Sequence, residues 1–205
     1  MWFKAFLFGH IVFGCVALVS GGLSALFRKG SKQHTAAGRL FYYSMLSSGL
    51  LAILITLLPK HHSYFLQGIG VFTLYYTLGG RRALSYQRTP INTSFEKLLL
   101  VLLFSYSLFL LVYPNLKVSG FMLLSTGFGV FGIWRVFRDS RLLLHPEILQ
   151  KRYLHLHLIR MFTAYASTVT AFLVVNQWLG FLGWFLPGLE VTGIILYWTQ
   201  KIQVT

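Results

Sequence analysis

The segment YLHLHLIRM, residues 153–161, contains two histidines and an arginine inside an otherwise apolar stretch. A charged side chain at the centre of a membrane costs about 2.5–3.5 kcal/mol on insertion scales, so such residues usually face protein and serve a function. His157 and Arg160 are three residues apart and share one helix face, on which the next residue, Ala164, is small. This face predicts an intramembrane polar site for a small molecule or a proton.

A buried arginine also needs a counter-charge, and the last apolar segment contains one acidic residue, Glu190. Counted from the helix ends at about 1.5 Å per residue, Arg160 and Glu190 reach similar depths from opposite chain directions. The sequence therefore predicts an ion pair between Arg160 and Glu190 on adjacent antiparallel helices. His157, Arg160 and Glu190 together would then offer a route for a proton.

Three further residues are candidates for the polar site. His10 lies in the first apolar segment, on a helix face that otherwise carries small residues such as Gly14 and Ala17. His34 and Arg39 belong to the basic segment RKGSKQHTAAGR, which we expect at the cytoplasmic surface. The predicted ligand-binding or polar site thus comprises His10, His34, Arg39, His157, Arg160 and Glu190.

Haem b is an alternative ligand, with His10, His34 and His157 as the candidate axial residues. A site with two axial histidines needs two imidazoles that face each other at similar depth. We expect His10 near the outer side and His157 near the inner side, and His34 reaches His157 only if its loop folds inward. The sequence alone leaves haem open.

Other kinds of site find little support. Metal hydrolysis is disfavoured because the chain has no HExxH motif and only four acidic residues. The single cysteine, Cys15, cannot form an internal disulfide, and we expect no structural metal. A transporter is possible chemically, since the glycines of GFGVFG, residues 127–132, could loosen the fifth helix or could simply allow close packing.

The composition indicates which elements must hold these residues. The chain has 205 residues, of which 56% are hydrophobic and 11% are charged, whereas soluble domains contain about a quarter charged residues. A membrane-spanning helix needs about 20 mainly apolar residues. Seven segments approach this length: 2–27, 40–58, 63–79, 98–113, 118–137, 153–175 and 178–198. We therefore predict an all-α integral membrane protein, a bundle of seven transmembrane helices forming one domain over residues 1–205.

Basic residues are concentrated in alternate connections between these segments, which indicates membrane topology rather than nucleic-acid binding. The first, third and fifth connections carry Arg28, Lys29, Lys32 and Arg39, then Arg81, Arg82, Arg88 and Lys97, then Arg135, Arg138, Arg141, Lys151 and Arg152. By the positive-inside rule these connections are cytoplasmic, the N-terminus is outside and the C-terminus is inside. We also expect the sixth helix to begin near Pro146, because proline suits the first helical turn.

Several segments resemble an uncharacterised family of bacterial multi-pass membrane proteins that is known only as a domain of unknown function. They are HIVFGCVALVSGG, RKGSKQHTAAGRLFYYSM, HLIRMFTAYASTVTAFLVVN and WFLPGLEVTGIILYWTQK. The resemblance implies a bacterial inner-membrane protein without an assigned reaction. It carries over His10, Gly14, Lys29, Gly30, His34, Gly38, Arg39, Met45, His157, Arg160, Met161, Asn176, Pro187 and Trp198. Glu190 departs from the family pattern, in which an apolar residue is usual.

Taken together, these patterns predict a polytopic inner-membrane protein with a polar site for a small molecule or a proton near the cytoplasmic side. One alternative is a haem b electron-transfer protein, since the helix count and the histidines are similar to those of b-type membrane cytochromes. The other alternative is a structural or assembly partner in which the polar residues only fix helix register. Whether the protein is an enzyme, and which small-molecule or protein partner it has besides the lipid bilayer, stays open.

Overall fold

The computed structural model describes residues 2–88, 90–116 and 122–203, and these residues form helices, turns and loops without any strand. The all-α fold class is therefore confirmed. The helices are α1 (Trp2–Leu26), α2 (Lys32–Leu57), α3 (Tyr64–Ala83), α4 (Ser94–Leu116), α5 (Met122–Leu143), α6 (Pro146–Lys151), α7 (Tyr153–Val175) and α8 (Leu186–Gln203), with short 3-10 turns at Leu84–Gln87 and Gly180–Trp184.

Among the described residues, four helices are long and apolar enough to cross a membrane: α1, α2, the Ser94–Tyr113 part of α4, and α7. The predicted segments 63–79 and 118–137 overlap the long helices α3 and α5, and segment 178–198 overlaps α8 only from Leu186, because its first residues form turns. These three helices do not meet the same criteria of length and composition. In α5 the reason is visible, because its last turns contain Arg135, Arg138 and Asp139. The first residues of the predicted segment 118–137 lie outside the described residues.

The connection between α1 and α2 is fixed by local sequence. Gly30 has a φ of +79°, a left-handed conformation that glycine adopts without steric cost. Ser31 then caps α2, since its side chain accepts a hydrogen bond of 3.1 Å from the backbone N–H of His34. This turn sends α2 back along α1 and brings the first residues of α2 beside the end of α1.

Glycines in α3 let α7 approach closely. A Cβ atom on Gly80 would lie 2.6 Å from Sδ of Met161, and one on Gly79 would lie 3.2 Å from Nη1 of Arg160. Small residues serve this purpose between membrane helices, where lipid and side chains are equally apolar. The close approach makes the carbonyl oxygens of Gly79 and Gly80 accessible to side chains of α7.

The sixth predicted helix does not run continuously from Pro146. Proline occupies the first turn of a helix as expected, but that helix, α6, ends at Lys151, and α7 begins after a turn at Arg152. The turn folds α6 back so that Leu149 is buried against Ala83 and Tyr86 beyond the end of α3. Burial of this leucine accounts for the break.

Candidate functional site

Arg160 forms a buried ion pair with Asp139 of α5. Its Nη2 atom lies 2.9 Å from Oδ2 of Asp139, and the two residues are only 3% and 1% exposed. The predicted pair with Glu190 is not formed, because Glu190 is exposed on α8 and makes no ion pair with any described residue. The proton route that included Glu190 is lost with it.

Asp139 is shared by three side chains. Besides Arg160, the hydroxyl of Tyr75 donates a short hydrogen bond to its Oδ2 atom. Nη2 of Arg135 lies 3.0 Å from its Oδ1 atom, a close electrostatic contact without hydrogen-bond geometry. Two guanidinium groups therefore share one carboxylate in a buried cluster that joins α3, α5 and α7.

Arg160 and His157 also bind consecutive carbonyl groups of α3. Nη1 of Arg160 donates to the carbonyl oxygen of Gly79 over 3.0 Å, and Nδ1 of His157 lies 2.7 Å from that of Gly80. The last four carbonyls of a helix lack a partner within that helix, and Gly80 is one of them because α3 ends at Ala83. A carbonyl only accepts, so Nδ1 of His157 carries the hydrogen.

His34 is held in the same manner at the start of α2. Its Nδ1 atom lies 2.9 Å from the carbonyl oxygen of Ser24 and 3.2 Å from the hydroxyl oxygen of Ser24, near the end of α1. The carbonyl contact again assigns the hydrogen to Nδ1. In both His34 and His157 the Nε2 atom is consequently the nitrogen with a free lone pair. Neither Nε2 atom has a hydrogen-bond partner among the described residues.

These two histidines line one cavity of about 380 Å³, which we call the histidine cavity. It lies among α1, α2, α7, the end of α3 and Trp198 of α8. Its charged or imidazole-bearing residues are Lys29, His34, Arg39, Arg81 and His157, and its larger apolar residues include Phe41, Met161, Phe162, Tyr165 and Trp198. None of the described lining residues is acidic.

Lys29 is the cation held most firmly in the histidine cavity. Its Nζ atom donates to the carbonyl oxygen of Ala25 over 2.6 Å and lies 5.2 Å from the ring centre of Trp198 and 5.6 Å from that of Phe162. Burial lowers the pKa of this ammonium group from its ordinary value. An anion bound beside Lys29 would offset that burial by favouring the charged form.

The structure separates the six predicted site residues into groups. His34, Arg39 and His157 line the histidine cavity, and Arg160 lies directly behind it in the Asp139 cluster. His10 is elsewhere, with Nδ1 at 3.0 Å from the carbonyl oxygen of Ser48, so it fixes α1 to α2. Glu190 does not belong to the site.

The sequence alone did not predict Asp139 as the partner of Arg160, Tyr75 as a partner of Asp139, or Arg81 as a residue of the histidine cavity. Asp139 had a detectable signal, since it is the only acidic residue of α5 and follows Arg135 by one helical turn. Within the part of the chain that the structure describes, no group of three His, Cys, Asp or Glu residues could hold a metal ion. A metal ion bound by His34 and His157 would therefore need further ligands from outside the described residues, such as the porphyrin nitrogens that bind iron in haem.

The chain matches no protein-family model, no curated protein and no solved structure. Its resemblance to an uncharacterised membrane-protein family therefore stays a prediction.

Proposed function

We propose that this protein is a multi-pass membrane protein that binds a small amphiphilic anion in the histidine cavity. One observation carries the proposal: basic and imidazole side chains line the same cavity as aromatic and aliphatic ones, and no described acidic residue lines it. Ligand sites are mostly apolar concavities of roughly 300–1,000 Å³ with a few polar groups that fix orientation. A single carboxylate or phosphate attached to an apolar body fits both parts of this lining.

The proposed topology has seven spans, α1 to α5 with α7 and α8, in a bacterial inner membrane. The N-terminus would be outside and the C-terminus inside, because the connections that contain Lys29, Arg81 and Arg141 are the basic ones. In that orientation the histidine cavity opens toward the cytoplasmic side. A ligand could reach it from the cytoplasm or from the inner leaflet.

Each lining residue has a separate role in the proposed complex. Lys29, Arg39 and Arg81 would neutralise the anionic group, and the rings of Phe162 and Trp198 would cover the apolar body. The two Nε2 atoms could accept hydrogen bonds from a protonated oxygen of the ligand. Arg160 would act indirectly, since its contacts with Asp139 and Gly79 fix the helix that carries His157.

Eight of the fourteen residues carried over by the predicted family resemblance lie in this site. They come from distant parts of the chain, yet all of them line the histidine cavity: Lys29, Gly30, His34, Gly38, Arg39, His157, Met161 and Trp198.

Thermal unfolding of the purified protein in a neutral detergent tests the ligand class. A ligand that binds only the folded state at 100 times its dissociation constant stabilises it by about 2.7 kcal/mol. We expect decyl phosphate and decanoate to raise the unfolding temperature, and decanol, which has the same apolar body without charge, to leave it nearly unchanged. Equal effects of decanol and decyl phosphate would contradict an anion site.

Haem b binding is the second candidate, and a specific observation favours it. Histidines that bind a metal through one ring nitrogen usually donate the other N–H to a carbonyl or carboxylate. His34 and His157 both have Nδ1 on a carbonyl and line the same cavity. His10, the third axial candidate, is not near them, so only the pair of His34 and His157 remains.

An absorption spectrum of the protein, purified from cells supplied with a haem precursor, tests this candidate. A haem b protein with two axial histidines would show a Soret band that is lost in both His34→Ala and His157→Ala and kept in His10→Ala. Absence of the band in the unaltered protein would remove haem and leave the anion proposal unaffected.

A further inference from the structure

A second cavity, of about 580 Å³, lies between the end of α5 and the start of α7. We call it the arginine cavity, after its cationic or imidazole-bearing residues: Arg135, Arg138, Arg141, His145, Arg152 and His155. It shares no lining residue with the histidine cavity. The turn at Arg152 between α6 and α7 brings that residue to the rim.

The arginine cavity has an excess of positive charge that the described residues do not neutralise. Asp139 is already shared by Arg135 and Arg160, and Glu147 lies 3.3 Å from His145. Arg138, Arg141 and Arg152 form no ion pair with any described residue. These three guanidinium groups therefore have no counter-charge among the described residues, and that of Arg138 lies 5.3 Å from the ring centre of Trp134.

Arg135 is the most buried arginine of the arginine cavity, and its guanidinium group lies 5.6 Å from the ring centre of Tyr76. The residue lines the cavity, is only 6% exposed, and its Nε atom is buried without a hydrogen-bond partner in the described structure. Because this atom is inaccessible from the cavity, Arg135 would attract an anion only through its positive charge, which Asp139 shares with Arg160 and so does not fully neutralise.

An apolar stripe on α5 begins at the same cavity. Val130, Trp134 and Phe137 follow one another at helical spacing and are 56%, 49% and 61% exposed, and the last two also line the cavity. In the proposed topology this stripe faces acyl chains of the inner leaflet. A free phosphate ion would use the arginines alone, whereas a phospholipid would use the arginines and the stripe together.

We propose that the arginine cavity binds the phosphate of an anionic phospholipid from the cytoplasmic leaflet, with the acyl chains lying along Val130, Trp134 and Phe137. Basic pockets between transmembrane helices on the cytoplasmic side suit anionic headgroups, and each Lys or Arg near an anionic membrane surface adds to the attraction. This site is independent of the amphiphile proposed for the histidine cavity.

Titration of the detergent-purified protein with phosphatidylglycerol, with thermal stability and native mass spectrometry as readouts, tests the assignment. Phosphatidylglycerol should bind and stabilise, and phosphatidylcholine and inorganic phosphate should do neither at equal concentration. The variant R138Q/R141Q/R152Q should bind phosphatidylglycerol roughly tenfold to a hundredfold more weakly. These arginines are exposed and unpaired, so their replacement leaves the Asp139 cluster intact.

The matched control is R28Q/K32Q/R88Q, which removes the same charge from exposed residues that line neither cavity. It should bind phosphatidylglycerol as the unaltered protein does. If the control lost as much affinity for phosphatidylglycerol, the lipid would be attracted by net charge alone, and the proposed site would be wrong. If inorganic phosphate stabilised the protein as much as phosphatidylglycerol does, the ligand would be a free ion and the lipid proposal would be wrong. If phosphatidylcholine bound as tightly as phosphatidylglycerol, the site would not require an anionic lipid.

Discussion

At the scale of single residues, the charge of Arg160 is tolerated because partners surround it. One side of its guanidinium group contacts Asp139 and another contacts the carbonyl oxygen of Gly79. Desolvation of a buried ion pair nearly cancels its attraction, whereas removal of one partner leaves a buried charge uncompensated. Asp139 is the critical member, since two arginines depend on it.

Replacement of Asp139 by Asn should therefore destabilise the protein more than replacement of Arg160 by Gln. We expect Asp139→Asn to cost about 3–5 kcal/mol, as measured when buried pairs are broken, because it leaves Arg135 and Arg160 without a counter-charge. Arg160→Gln should cost less, since Asp139 keeps Arg135 and Tyr75. Thermal unfolding monitored by size-exclusion chromatography measures the order.

The double variant Asp139→Asn with Arg160→Gln should recover part of the stability lost in Asp139→Asn alone. Glu190→Gln is the control, because Glu190 is exposed and should tolerate the change without effect. If Glu190→Gln destabilised the protein as much as Asp139→Asn, the assignment of the ion pair would be wrong.

The inward orientation of Arg160 and His157 could be predicted from the cost of charge in a membrane, but the partner could not. The position of a residue along its helix predicts its depth in the membrane, but several helices pass through the same depth. Gly79 and Gly80 decide which helices meet at that depth, since they bring α7 against α3. The family resemblance already indicated that Glu190 was an unusual residue at its position.

At the scale of helices, close packing depends on particular glycines. In α5 the glycines of GFGVFG differ in their surroundings: a Cβ on Gly129 would lie 2.9 Å from the backbone oxygen of Ser107 and 2.7 Å from Cγ of Leu111, whereas one on Gly127 would meet nothing within 4 Å. Gly129 thus allows α4 and α5 to approach each other, and this packing positions the helix that carries Asp139.

Alanine at these two glycines should have opposite effects on stability. Gly129→Ala should destabilise by about 1–3 kcal/mol, the usual cost of overpacking, because a backbone oxygen cannot move aside easily. Gly127→Ala should be neutral or stabilising by up to about 1 kcal/mol, since alanine favours a helix over glycine. Thermal unfolding of both variants compares them directly, and equal destabilisation would argue against close α4–α5 packing.

Helix positions were predictable to within several residues because apolar length is a strong signal. The separation of α6 from α7 was not, because it depends on Leu149 being buried against Ala83 and Tyr86, which are distant in the sequence. The local pattern of residues 146–175 fits one long helix that projects from the membrane. It fits two helices joined by a turn equally well. Only the tertiary contact decides between them.

At the scale of the whole molecule, the basic residues are concentrated in connections that we assign to the cytoplasmic face in the proposed topology. Both cavities are lined by residues of the first, third or fifth connections or of the helix ends beside them, such as Arg39, Arg81 and Arg141. In the proposed topology both therefore open on the cytoplasmic side. The charges in the sequence predict that face, but they could not predict the cavities, which depend on how α1, α2, α3, α5, α7 and α8 pack.

Labelling of single cysteines in intact cells tests the topology. With Cys15 replaced by serine, cysteines at Lys32 and Arg88 should be protected from a membrane-impermeant maleimide, and a cysteine at His62 should react. All three positions are exposed on the protein surface. After the cells are lysed, all three should react, which controls for accessibility. Reaction at Lys32 in intact cells with protection at His62 would reverse the proposed orientation.

The most direct test of the histidine cavity as an anion site is the dissociation constant of decyl phosphate, measured by isothermal titration in a neutral detergent. The protein should bind with micromolar or better affinity, and K29Q/R39Q/R81Q should bind at least tenfold more weakly, because each lost charged contact contributes about 1.5–3 kcal/mol. The control R28Q/K32Q/R88Q should bind unchanged. Equal weakening in both triple variants, or no binding to the unaltered protein, would contradict the proposal.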